Sequence, residues 1–156
     1  MAVVAEPYFV PPRDSWVGDI DGSVTIITQG AAGSPPFAKV EKGQGYVAAL
    51  LGGLWIVGVY FSPNRPLAEF ESFLVRLGAL VEQGQPHPAI VAGDFNATSV
   101  VWGSPVTNAR GRVLEEWAIS VGLAVLNRGS VDTCVRHNGG SIVDLSFGSP
   151  AVARRV

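Results

Sequence analysis

Cysteine is nearly absent from this sequence. Its 156 residues hold one, Cys134, and two histidines, so neither an internal disulfide nor a zinc cluster of Cys and His can be assembled. A reducing compartment, nuclear or cytoplasmic, is the expectation. Met1 to Glu6 carries no basic leader and no small-residue cleavage site, so no secretion signal is read there. Long apolar runs are missing as well. Val47 to Val59 is cut by Gly52-Gly53, and no stretch reaches membrane-spanning length. Charge is scarce at 15%, with 11 basic against 13 acidic residues and a net charge of −2, which argues against a protein that binds nucleic acid over a wholly basic surface. The distribution is uneven: six Arg face four acids from Arg110 onward, while Asp14, Asp19 and Asp21 crowd the other end. That leaves open a weakly basic face suited to phosphate, or simply solvated surface arginines. What the sequence does have is 47% hydrophobic residues, enough for one domain with its own core.

The chain is organised around Ala89-Ile90-Val91-Ala92-Gly93-Asp94-Phe95-Asn96. A short apolar run behind Pro86 and Pro88 predicts a strand buried on both faces. Two polar side chains follow at i and i+2, which an extended backbone would point to the same side. At the carboxyl end of a core strand, a carboxylate can activate water and a neighbouring amide can donate to a phosphate oxygen. An Asx-turn closing the strand is the other reading of the same residues.

Around this stretch the predicted elements are mostly strands. Val3-Val4-Ala5 ends a buried strand and delivers Glu6, which Pro7 keeps out of helical conformation. Pro11 to Gly22 reads as a loop, Val24 to Thr28 as a β-branched strand, and Gly30 to Pro36 as turns. Tyr46–Leu51 and Leu54–Tyr60 form a hairpin about Gly52-Gly53. Pro66 opens a helix through Gln83, whose Leu67, Phe70, Phe73, Leu74, Leu77, Leu80 and Val81 recur at three- and four-residue spacing. A second helix runs from Arg110 to Val121, followed by strands at Leu123–Leu126, Thr133–Arg136 and Ser141–Phe147. Asp144 lies inside the last, where a carboxylate needs a partner.

Gly93-Asp94-Phe95-Asn96 resembles the GDFN motif of the endonuclease/exonuclease/phosphatase superfamily, to which deoxyribonuclease I and the apurinic endonucleases belong. Trp102-Gly103-Ser104, Asn108-Ala109-Arg110-Gly111, Leu126-Asn127 and Ser141-Ile142-Val143-Asp144, in that order, resemble the endonuclease domain of arthropod-type non-LTR retrotransposons. The likeness runs from about Glu6 to the last residue. It implies that Glu6 binds a catalytic Mg²⁺ (or Mn²⁺), that Asp94 acts on the attacking water, that Asn96 donates to the phosphate, and that Asp144 orients a catalytic His. It also implies a Tyr at the scissile phosphate. Two residues separate Tyr60 from Pro63 where many relatives have one, so Tyr60 and Phe61 both compete for that place. Thr133, Ser141 and Arg110 are the candidate DNA contacts.

Two family features have no match: an Asn on a preceding first strand and a terminal Ser-Asp-His. Neither His87 nor His137 follows an Asp or ends an apolar strand. Residues 1–156 are therefore expected to be an internal fragment of one such domain. The expected fold is a four-layered α/β sandwich of the deoxyribonuclease I type, with N- and C-terminal strands missing. The expected function is Mg²⁺-dependent cleavage of DNA phosphodiester bonds, nicking target sites for a retrotransposon whose intact protein carries a reverse transcriptase C-terminally. That activity would be impaired in this chain. An inactive remnant with weak DNA binding and a phosphatase of the same superfamily are the alternatives, and no membrane partner is expected.

Overall fold

The computed structural model describes residues 1–6, 15–28, 35–126, 141–142 and 145–154. Strands β1 (Ala2–Ala5), β2 (Trp16–Gly18), β3 (Val24–Ile27), β4 (Ala38–Gly43), β5 (Tyr46–Leu51) and β6 (Leu54–Tyr60) lead into helix α1 (Leu67–Gln83). Then come β7 (Ala89–Asp94), α2 (Ala109–Ser120), β8 (Ala124–Val125), β9 (Ser141–Ile142), β10 (Leu145–Gly148) and a short α3 (Pro150–Ala153). Among the described residues they build a four-stranded sheet in the order β2-β3-β1-β9 and a six-stranded sheet in the order β4-β5-β6-β7-β10-β8. All pairings are antiparallel except β6 with β7, which are parallel and joined through α1.

Alternation along the central strands assigns their two faces. Trp55, Val57 and Val59 of β6 and Ala89 and Val91 of β7 pack against Phe70, Phe73, Leu77, Leu114 and Trp117 of the helices. Ile56, Ile90 and Ala92, one residue out of phase, meet Val3, Val24 and Ile26 of the four-stranded sheet. The central strands of the six-stranded sheet are thus buried on both sides, which is why they read as nearly continuous apolar runs. Gly58 lets the sheets close: a Cβ there would sit 3.2–3.4 Å from Val24, Val3 and Ile26.

The hairpin at Gly52-Gly53 forms as expected, both glycines having positive φ (56° and 81°). Both long helices lie where their periodicity put them, although Pro66 stands at the N-cap of α1 rather than inside its first turn. Three expectations need correction. The Pro11–Gly22 loop contains β2. Strand β4 went unread because five of its six residues are exposed and its register breaks at a bulge about Lys39, so no apolar alternation marks it. The single strand expected at Ser141–Phe147 is two: β9 pairs with β1 in one sheet, and β10 pairs with β7 in the other. A continuous apolar pattern cannot reveal that its two halves serve different sheets.

Candidate active site

Strand alternation sends Tyr60 and Asp94 toward the four-stranded sheet, in phase with Ile56 and Ile90. They are register partners at the ends of β6 and β7. From the facing sheet, β1 ends at Ala5 and is followed by Glu6, whose φ is 52° and whose N–H donates to the Ser23 carbonyl at 2.6 Å. The three side chains meet at the rim of the inter-sheet core. The exposed Glu6 carboxylate first, then burial and the charge of Asp94, push the Tyr60 phenol up to about 12. Tyr60 is therefore a neutral donor at any physiological pH.

Tyr60 and Phe61 lie on opposite faces of the sheet. Phe61 is buried, packed on Phe70 and Phe73 at 5.1 and 5.0 Å between ring centroids. Its N–H donates to the Asp94 carbonyl, carrying the parallel pairing one residue past the strands. Gly93 has its own steric reason: a Cβ there would lie 2.0 Å from the Val59 carbonyl oxygen.

Asn96 does not continue the extended strand. Its φ is 49°, and its N–H donates to Asp94 Oδ1 at 3.0 Å, so the Asx-turn and the site are the same structure. Asn96 Nδ2 donates to the Phe61 carbonyl at 2.7 Å, tying the turn after β7 to the segment after β6. Beyond it, Pro63, Asp94, Asn96, Thr98, Trp102 and Ser104 line a cavity of about 390 Å³. Trp102 forms one wall, its Nε1 donating to the Ala97 carbonyl and its ring lying edge-on to Phe147.

Arg110, expected at DNA, is engaged within the protein. Its guanidinium donates to the carbonyls of Ser62 (3.1 Å), Pro63 (3.3 Å), Asn96 (3.4 Å) and Arg65, and lies over the rings of Phe61 and Phe70. Burial, then the nearby Arg65, lower its pKa from the ordinary guanidinium value. The rest of the Asn-Ala-Arg-Gly motif also makes contacts within the protein. Asn108 caps α2 by accepting the Gly111 N–H at 2.8 Å and also accepts the Thr98 N–H at 3.2 Å. A Cβ on Gly111 would lie 1.8 Å from the Thr98 carbonyl oxygen. The motif docks α2 against the turn after β7.

Ser141 is brought close by register, opposite Ala5 and so beside Glu6. Asp144, Thr133 and His137 lie outside the described residues. His87 sits before β7, at the end opposite Asp94, with its N–H on the Gly84 carbonyl. Among the described residues no three His, Cys, Asp or Glu side chains gather as a metal cluster. The two carboxylates at the rim, Glu6 and Asp94, offer oxygen donors alone, and both raise the Tyr60 pKa. A concentration of negative charge with hard donors fits Mg²⁺ or Mn²⁺ and not a soft metal.

Residues 54–156 match the family described as endonuclease-reverse transcriptase. The chain belongs to this family. The endonuclease-reverse transcriptase match begins at the first residue of β6 and includes Tyr60, Asp94, Asn96 and Arg110; Glu6 lies ahead of it. A 115 kDa protein of the type-1 retrotransposable element R1DM of Drosophila melanogaster is 28% identical over 116 residues, covering 69% of this chain and 11% of that protein. The chain thus spans about a tenth of that relative.

Among solved structures, the endonuclease domain of TRAS1, a telomere-specific non-LTR retrotransposon, superposes with a TM-score of 0.64 at 24% identity, over 96% of this chain and 72% of that one. The 3'-5' exonuclease NExo of Neisseria meningitidis gives 0.56 at 17% identity, over 89% and 67%. An AP endonuclease of Archaeoglobus fulgidus gives 0.53 at 14%, over 84% and 63%. These likenesses establish the deoxyribonuclease I-like α/β fold of this chain.

Proposed function

We propose that the rim formed by Glu6, Tyr60, Asp94 and Asn96 is a divalent-metal-dependent site for cleaving DNA phosphodiester bonds, used in a retrotransposon protein to nick its target. The observation that carries this reading is the convergence of Glu6 from one sheet with Tyr60 and Asp94 from the other. Glu6 would hold Mg²⁺, which when bound supplies charge stabilisation at the phosphate and the leaving oxygen. Asp94 orients and deprotonates the attacking water. Tyr60, kept protonated by its acidic neighbours, has a single O–H, which would turn from Glu6 to a phosphate oxygen when DNA is bound. Asn96 has one amide hydrogen on the Phe61 carbonyl and directs the other at the phosphate. Asp144, Thr133 and Ser141 remain in the roles their motifs suggest, and a reverse transcriptase remains the expected partner domain of the intact protein.

The test is nicking of supercoiled plasmid with Mg²⁺ or Mn²⁺, alongside Mn²⁺ binding measured by water proton relaxation. Nicking is expected to be slow, because neither histidine is read as the family's general acid or base and losing such a group costs ~10²–10⁴ in rate. It should vanish in Asp94→Ala, and Mn²⁺ binding should vanish in Glu6→Gln. A chain that binds no Mn²⁺ and nicks no DNA, or whose nicking ignores both substitutions, would overturn the reading.

A further inference from the structure

The candidate site is divided between two sheets. Glu6 ends a strand of one, and Tyr60 and Asp94 end strands of the other. The core between them is apolar, and apolar contact is non-directional, so it does not by itself fix how far one strand end slides past the other. A polar connection at the rim does. Asp19, on the turn between β2 and β3, is only 7% exposed. Its Oδ1 accepts the N–H groups of Ser23 (2.7 Å) and Val24 (3.2 Å), and its Oδ2 accepts the Ser23 hydroxyl (2.5 Å) and the Gly45 N–H (2.9 Å).

Both partners lead directly to the site. The Ser23 carbonyl accepts the Glu6 N–H at 2.6 Å, and the Gly45 carbonyl accepts the Tyr60 N–H at 2.8 Å. Glu6, Ser23, Asp19, Gly45 and Tyr60 are thus linked by a chain of hydrogen bonds that crosses from sheet to sheet, and its two ends, Glu6 and Tyr60, lie close enough for the carboxylate to raise the phenol's pKa. A second strut runs beside it, the Ile20 N–H donating to the Gly43 carbonyl at 3.1 Å. Gly45 suits its place twice over: its φ is +83°, and a Cβ would lie 2.6 Å from the Tyr60 carbonyl oxygen. A carboxylate is the side chain that can serve four donors at once; an amide would turn one of the two accepting atoms into a donor.

We propose that Asp19 is the positioning residue that holds the Glu6 strand end against the Tyr60 and Asp94 strand ends. Asp19 touches no reacting atom in this scheme and acts through Ser23 and Gly45. The proposal rests on the nuclease reading for its consequence, and its geometry stands apart from that reading.

The experiment uses the full chain, isotope-labelled, as wild type, Asp19→Asn, Glu6→Gln and, as an exposed neighbour, Asp21→Asn. In the wild type the amides of Glu6, Ser23, Gly45 and Tyr60 are expected to exchange with solvent through one shared opening, and the Tyr60 ring to show a nuclear Overhauser contact with the Glu6 side chain. In a folded Asp19→Asn chain that contact is lost, while protection in β6, β7 and β10 is kept. Mn²⁺ affinity falls about 10–100-fold, as when a partner orienting a metal ligand is removed. Asp21→Asn changes neither. An Asp19→Asn chain that keeps both the Tyr60–Glu6 contact and the wild-type Mn²⁺ affinity overturns the proposal. If that variant does not fold, the wild-type exchange decides: independent opening of the Ser23 and Gly45 amides overturns the proposal, and a shared opening supports it. A wild type with the contact and shared opening but no Mn²⁺ binding would remove the nuclease reading and leave Asp19 in its positioning role.

Discussion

Replacing Arg110 with Ala separates two roles for this side chain: a contact to DNA or an internal clamp. The guanidinium donates to four backbone carbonyls and covers two rings, so its removal affects the segment after β6 and the turn after β7 together. A charged donor bonded within the protein contributes ~1.5–3 kcal/mol net. Cation–π contacts at half-exposed sites add ~0.5–1 kcal/mol. Ser62, Arg65 and Asn96 are half-exposed, so water can replace part of what is lost. The expected cost is ~2–3 kcal/mol, which for a domain of this size lowers Tm by ~5–10 °C. Arg110→Lys should recover less than half, since an ammonium cannot span four carbonyls as a planar fork does. Thermal unfolding by circular dichroism, paired with DNA affinity across a salt series, reads both roles. The clamp predicts lost stability with an unchanged slope of log affinity against log salt. A phosphate contact predicts unchanged stability and a slope smaller by ~0.9. A variant with wild-type Tm and the reduced slope would refute the clamp.

Gly93→Ala should not fold, or should lose more than ~4 kcal/mol, because its Cβ would meet the Val59 backbone at 2.0 Å; soluble yield and urea unfolding would check it. Phe147→Ala should cost ~3–5 kcal/mol in urea unfolding, since this fully buried ring takes edge-on contacts from Phe95, Trp102 and Trp117. Alkaline absorbance should find Tyr60 ionising near 12, and Glu6→Gln should bring it back toward 10.0. Because the folded-state pKa lies above the ordinary one, the Tyr60–Glu6 contribution to stability is complete below pH 10.0 and lost as pH rises through about 12. Tyr60→Phe should remove that part of the alkaline loss.

The sequence by itself determined the elements whose burial repeats with a local period. Strands β5 and β6 about their Gly-Gly turn, helix α1 with Phe70, Phe73, Leu74 and Leu77 on one face, and the apolar run of β7 ending at Asp94 were all legible. Each of these signals depends on residues within a few positions of one another. The order of the motifs also carried the family and pointed to Glu6, Tyr60, Asp94 and Asn96. Only the tertiary structure decided what those residues touch. Glu6 and Tyr60 are 54 positions apart in the numbering and meet because two sheets close over Gly58. Arg110 reaches carbonyls 45 to 48 positions away, and nothing in its neighbours along the chain distinguishes that use from a solvent-facing phosphate contact. Asp19 looked like one acid among several at the N-terminal end, and became the junction of two sheets only when the turn at Gly45 arrived beside it. Local sequence encodes which face of an element avoids water. Which distant backbone donor ends up opposite a given carboxylate depends on how the finished sheets stack, and no period in the sequence records that.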